Sequence, residues 1–142
     1  MRYLVESGYV ALGAAIGANS RFWLGVLTNA SKQPFPWPTL LINIVGSTLL
    51  GAFSAAAILR GLDSQWRLFF AVGVCGGFTT FSTFSFEVID LFYEKSWRAA
   101  GFYALLSFVL SVGGCFLGGH IARVLLSQPH QKQPENGNPF GK

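Results

Sequence analysis

The fold class that this sequence predicts is an all-α membrane protein with four transmembrane helices, and three observations predict it. Hydrophobic residues make up 51% of the 142 residues and charged residues only 11%, against roughly 25% charged in soluble domains. Four stretches, 4–28, 38–59, 68–93 and 99–126, reach the about 20 mostly apolar residues that a bilayer-spanning helix needs. The connections between them, 29–37, 60–67 and 94–98, are too short to fold as soluble units. Residues 1–126 therefore read as one transmembrane domain. The Pro-, Gln-, Asn- and Gly-rich stretch 127–142 reads as a disordered tail with no assigned function.

The first span lacks the basic start, short apolar core and small-residue cleavage site of a signal peptide, so it reads as a retained helix. Gly13 and Gly17 lie four apart, as do Gly73 and Gly77 in the third span and Gly114 and Gly118 in the fourth. Small residues at this spacing let helix backbones approach where lipid offers no hydrophobic drive, so general helix packing is their reading. Pro34, Pro36 and Pro38 fill the first connection and the start of the second span. Trp37, Trp66 and Trp97 fall at span edges, with Trp23 near the end of the first span, where amphipathic rings sit at the headgroup level. Cys75 and Cys115 lie inside apolar segments without metal-ligand spacing and read as small packing residues. His120 and His130 lie far from any partner in sequence and read as inert.

Charge specifies orientation weakly. With four spans, Arg2, Arg60, Arg67 and Arg123 fall on one side, and Lys32, Lys95 and Arg98 on the other, with Arg21 near that second side. The positive-inside rule has almost nothing to act on. Such a chain can insert both ways up and form an antiparallel homodimer with its two-fold axis in the membrane plane, unless Lys132 and Lys142 or another feature fixes one hand. The ten Lys and Arg form no patch or stripe, which argues against nucleic acid as a partner and leaves the lipid bilayer as the chain's surroundings.

The middle of the third span reads Gly73-Val74-Cys75-Gly76-Gly77-Phe78-Thr79-Thr80-Phe81-Ser82-Thr83-Phe84-Ser85-Phe86-Glu87. Paired glycines and a run of hydroxyl and β-branched residues disfavour continuous helix. A break at bilayer depth is tolerated only where it is buried in protein or lines a wet cavity, and it aims unpaired backbone groups at bound ions. The same hydroxyls can instead bond back within a helix and merely kink it.

This stretch resembles the signature of the CrcB, or Fluc, fluoride channels, a Gly-Gly-Phe-Thr-Thr-Phe-Ser-Thr-Phe run followed by Glu. Residues 13–22 are similar to that family's glycine-rich first-helix motif ending in Arg and an aromatic residue, with Ala14 in place of a glycine often found there. Residues 39–51 resemble its Leu-Leu-x-Asn-x-x-Gly-Ser second helix. The resemblance covers all four spans and excludes the tail. It implies a fluoride-selective passive channel of the bacterial inner membrane that expels fluoride and gives fluoride resistance, built as a dual-topology dimer with two pores. It also implies one structural sodium ion on the dimer axis, held by the backbone carbonyls of Gly76 and Thr79 from both subunits.

Fluoride is small and tightly hydrated, so a pore must replace its water without holding the ion too firmly. Neutral donors and aromatic edges, the positive rim of the ring quadrupole, suit that task. Phe81 and Phe84 lie three apart and share one face, and the resemblance makes them the facing phenylalanines of the pathway, with Thr80 in the run between the glycines and those rings. Thr39 and Asn43 share a face of the second span, and Tyr103, Ser107 and Ser111 share a face of the fourth. Asn43, with two amide donors, is the member expected to touch the ion. The Tyr and Ser stripe serves either as pathway donors or as interhelical hydrogen bonding. Glu87 caps a vestibule or bonds a hydroxyl of the break, and Arg21 draws anions to the entrance or snorkels to the headgroups.

Two other transporters compete with this reading. A small multidrug exporter needs a carboxylate embedded in its cavity, and Glu6 lies too near the chain end to supply one. A fluoride/proton antiporter would use Glu87 as its coupling group. An intramembrane hydrolase lacks a base placed for the hydroxyl run, and a purely structural protein leaves that run unexplained.

Overall fold

The computed structural model describes residues 1–94 and 96–127, and among these the secondary structure is entirely helical. Lys95, the tail beyond Ser127, and with them His130, Lys132 and Lys142, lie outside the described residues. Helix α1 is Arg2–Leu27, α2 is Trp37–Leu59, α3 spans residues 64–78, α4 is Phe81–Glu94 and α5 is Trp97–Leu126. Four spans result, of which Ser64–Glu94, joining α3 and α4, is the third, and all four are long and apolar enough to cross a membrane.

The helix ends explain the connections. After α1, Asn29 takes the left-handed conformation at φ 48° and ψ 48°, which Asn tolerates better than most residues. Pro38 lies in the first turn of α2, where its missing N–H costs no helical bond. Beyond α2, Gly61 has φ 60°, its N–H reaches the Ile58 carbonyl at 3.3 Å, and the Leu62 N–H reaches Ala57 at 3.0 Å. This Schellman pairing satisfies carbonyls that the helix end would otherwise leave open. Ser96 caps α5 by accepting from the Ala99 N–H at 3.1 Å.

The apolar stretches coincide with the helices except at Thr28 and at Thr79 and Thr80, and α1, α2, α3 and α5 each begin one to four residues earlier than hydropathy predicts. Polar residues such as Arg2 and Ser64 continue a helix into the headgroup region at no burial cost. One feature of α3 has no signal in the sequence: Leu68–Cys75 is π-helical, a form that is rare and common near functional sites.

The helices pack in pairs, α2 along α5 and α1 along α3, with α4 leaning on α5. Glycines set both close approaches. A Cβ at Gly13 would meet the Phe69 carbonyl and one at Gly17 the Val74 carbonyl, while Gly51 faces the Cys115 carbonyl and Gly118 the Thr48 carbonyl. Leu40, Leu91, Ala100 and Tyr103 form a buried core where α2, α4 and α5 meet, with Phe84 packed against it. Cys75 is buried and Cys115 half-buried, and neither forms a disulfide.

Candidate functional site

The third span leaves helical geometry at Thr79, whose φ of −78° and ψ of 160° are extended, and helix resumes at Phe81. Four hydrogen bonds from or to side chains hold the backbone there. The Thr80 N–H, which would reach back to Gly76 in a continuous helix, donates instead to Asn43 Oδ1 at 2.9 Å. Asn43 Nδ2 donates in return to the Thr80 carbonyl at 3.1 Å. The Thr83 N–H, whose helical partner would be Thr79, goes to Thr80 Oγ1 at 3.1 Å and so caps α4. Arg21 Nε reaches across from α1 to the Gly77 carbonyl at 3.2 Å. The donors that would occupy the Gly76 and Thr79 carbonyls are thus diverted, while Gly77 is given a cation.

Two cavities flank this point and share Thr80. The smaller, about 280 Å³, is walled by Asn43, Thr79, Phe81, Phe84, Ser107 and Ser111 among others. The larger, about 520 Å³, has Arg21, Thr39, Thr83 and Glu87 on its wall. The Phe81 and Phe84 rings are 5.5 Å apart and tilted by 45°, and Phe84 lies 5.4 Å from the Tyr103 ring. Phe81 is 80% exposed, so its ring has no cover within this one chain.

Glu87 is the centre of a second network. Thr39 Oγ1 donates to one of its oxygens at 2.7 Å and Tyr103 Oη to the other at 2.7 Å, joining α2, α4 and α5 through residues 48 and 16 positions away in sequence. Tyr103 is fully buried and Thr39 nearly so. Removing either donor leaves a carboxyl oxygen short of a partner, at a cost of about 1–3 kcal/mol. Tyr103→Phe and Thr39→Val are therefore expected to lower the melting temperature of the detergent-solubilised protein. Unchanged melting in both variants would show that the network does not hold the three helices.

Most of the residues expected on the pathway line the two cavities, whereas Tyr103 lies behind the wall on Glu87 and Gly76 lines neither, and their bonding differs from a simple donor stripe. Thr39 and Tyr103 spend their hydroxyl protons on Glu87. Asn43 grips backbone and keeps one amide N–H beyond the bond to Thr80. Ser107 is buried and its Oγ makes no hydrogen bond of normal geometry, whereas Ser111 lies further along the same wall. Arg21 is tied to Gly77 and also lines the larger cavity. Glu6 pairs with Arg2 at 2.8 Å near the exposed start of α1, and His120 stacks on Phe116. Sequence reasoning missed Ser47 and Phe108 on the smaller cavity and the particular role of Thr83. Ser47 lies four residues after Asn43, a spacing that was available as a signal. Among the described residues no group of three His, Cys, Asp or Glu side chains is placed to hold a metal.

Comparison with known proteins agrees along nearly the whole described chain. Residues 8–119 match the family model described as CrcB-like protein, Camphor Resistance (CrcB). The chain is 44% identical over 126 residues to the fluoride-specific ion channel FluC of Paramagnetospirillum magneticum, covering 84% of this chain and 95% of that protein. It is 45% identical over 130 residues to the protein of the same name from Rhodospirillum rubrum, with the same coverage. The one from Roseiflexus sp. is 46% identical over 118 residues, covering 82% of this chain and 95% of its own length.

Proposed function

The chain belongs to the CrcB-like protein family, and on that footing we propose that it is a fluoride-selective passive ion channel that exports fluoride and so gives fluoride resistance. It is a multi-pass membrane protein and not an enzyme, and its place is the bacterial inner membrane. The observation that carries the reading is the extended backbone at Thr79, set between two cavities whose walls offer neutral donors and ring edges. An anion enters the larger cavity past Arg21, meets the hydroxyls of Thr80 and Thr83, and moves along Asn43 to the Phe81 and Phe84 edges and the Ser107 and Ser111 hydroxyls. Neutral donors replace water without the grip of a fixed cation, and the hydroxyl protons held by Glu87 orient the wall.

The working unit is an antiparallel homodimer with two pores. Exposed Phe81 and Ser82 and the open side of the smaller cavity support this, because irregular backbone at bilayer depth must be kept from lipid, by protein or by a water-filled cavity that protein walls. The carbonyls of Gly76 and Thr79, whose helical donors are diverted, fit a hard cation, and from both subunits they would hold one structural sodium ion. Such an ion would supply positive charge beside those carbonyl dipoles.

Liposomes carrying the purified protein, loaded with fluoride and given a potassium ionophore, are expected to release fluoride rapidly, while chloride-loaded liposomes release little. No release from folded protein would discard the channel. Release that needs a proton gradient would assign coupled transport to Glu87.

A further inference from the structure

The glycine Gly46 in the middle of α2 differs from Gly13, Gly17, Gly51 and Gly118, and shares with Gly114 a nearest neighbour that is a side chain. At Gly13, Gly17, Gly51 and Gly118 a Cβ would strike backbone of the neighbouring helix, so those glycines let whole helices approach. At Gly46 it would strike only side chains: it collides with Thr79 Cγ2 and lies 3.0 Å from Phe78 Cδ1. Both neighbours are the residues at which α3 ends. The Thr79 methyl points there because its hydroxyl is committed, donating to the Cys75 carbonyl at 3.0 Å, and the two branches of a threonine move together.

Gly46 lies three residues after Asn43, on the same face of α2. That face therefore touches the interruption at two adjacent residues in opposite ways, by a pair of hydrogen bonds to Thr80 and by an empty site that receives Thr79. We propose that Gly46 is a positioning residue for the ion pathway, a socket that seats the Thr79 methyl and thereby holds Thr80 in register with Asn43. The proposal rests on the channel reading for its functional consequence, but the seating itself does not. A methyl at position 46 meets Thr79 first and the Phe78 ring next, so it displaces Thr79, turning the extended residue and loosening the Thr80 N–H from Asn43 Oδ1.

The test compares Gly46→Ala in the native background and in the Thr79→Ser background, because serine keeps the hydroxyl bond to Cys75 and lacks the atom that collides. Hydrogen–deuterium exchange at the Thr80 amide reads the seating, and fluoride release from liposomes reads the pathway. In the native background Gly46→Ala is expected to speed Thr80 exchange and to slow fluoride release by about tenfold each, the order of an overpacking cost expressed as a rate. In the Thr79→Ser background the same substitution is expected to change both by less than about twofold. Unchanged Thr80 exchange in Gly46→Ala, or equal effects in the two backgrounds, overturns the proposal. If Gly46→Ala fails to fold in the native background, folding restored by Thr79→Ser supports the socket, and failure in both overturns it. Wild-type protein that releases no fluoride defeats the channel reading alone, since exchange at Thr80 still decides the socket.

Discussion

Asn43→Asp is expected to cut fluoride release by at least about a hundredfold. The Asn43 amide is oriented without ambiguity by its partners: the oxygen takes the Thr80 N–H at 2.9 Å and the nitrogen gives to the Thr80 carbonyl at 3.1 Å. Aspartate keeps the first bond and turns the second into a contact between two acceptors, so Thr80 loses half of its tether. The larger effect is electrostatic. Asn43 is on the wall of the smaller cavity, and a fixed negative charge about 4 Å from a passing anion opposes it by roughly 4 kcal/mol at an effective dielectric constant of about 20. Taken wholly as barrier, that is about a thousandfold in rate, and screening in a wet cavity reduces it. Flux is to be measured on protein that still elutes as a single folded species. Wild-type flux in Asn43→Asp would remove Asn43 from the pathway and leave it as a backbone clamp only.

Asn43 also illustrates what was legible in the sequence and what was not. A polar amide in an apolar span marks itself as a residue that needs a partner, so its importance could be read. Its partner could not, because Thr80 is 37 positions away and nothing local fixes which backbone the amide will face. The same holds for Glu87. A carboxylate in a span and hydroxyls at Thr39 and Tyr103 were each visible, and the Tyr103 stripe read as either pathway donors or interhelical bonding, but nothing local named the carboxylate as the partner toward which packing of α2, α4 and α5 turns both hydroxyls.

The spans themselves were legible because transfer into lipid is a sum over residues, and a window of about 20 averages out local detail. Their boundaries were not, since a helix ends where its backbone bonds are capped, as at Gly61 and Ser96, and not where hydropathy falls. The π-helical Leu68–Cys75 left no mark at all, since its residues suit an α-helix equally well. Gly46 was visible only as one letter of a motif. Its difference from Gly51, five residues on, appears only when the atoms facing each are known.

Phe81→Ile and Phe84→Ile are expected to cut fluoride release by about tenfold or more each, for the same reason and at different cost to stability. Isoleucine fills much of the same apolar volume but has no quadrupole, so it removes the positive ring edge while keeping a hydrophobic wall. Phe81 is 80% exposed in the single chain, and its replacement disturbs little of the core. Phe84 packs against the buried cluster and lies 5.4 Å from the Tyr103 ring, so its replacement also gives up an aromatic contact of about 0.5–1.5 kcal/mol. The two variants therefore separate function from folding. If ring edges carry the ion, both variants lose flux on protein that still elutes as a folded species, and Phe84→Ile alone also gives up the contact with Tyr103 inside the chain. Normal flux in Phe81→Ile and Phe84→Ile alike would show that the rings only wall the cavity, and the hydroxyls of Thr80, Ser107 and Ser111 would then be left to replace the ion's water.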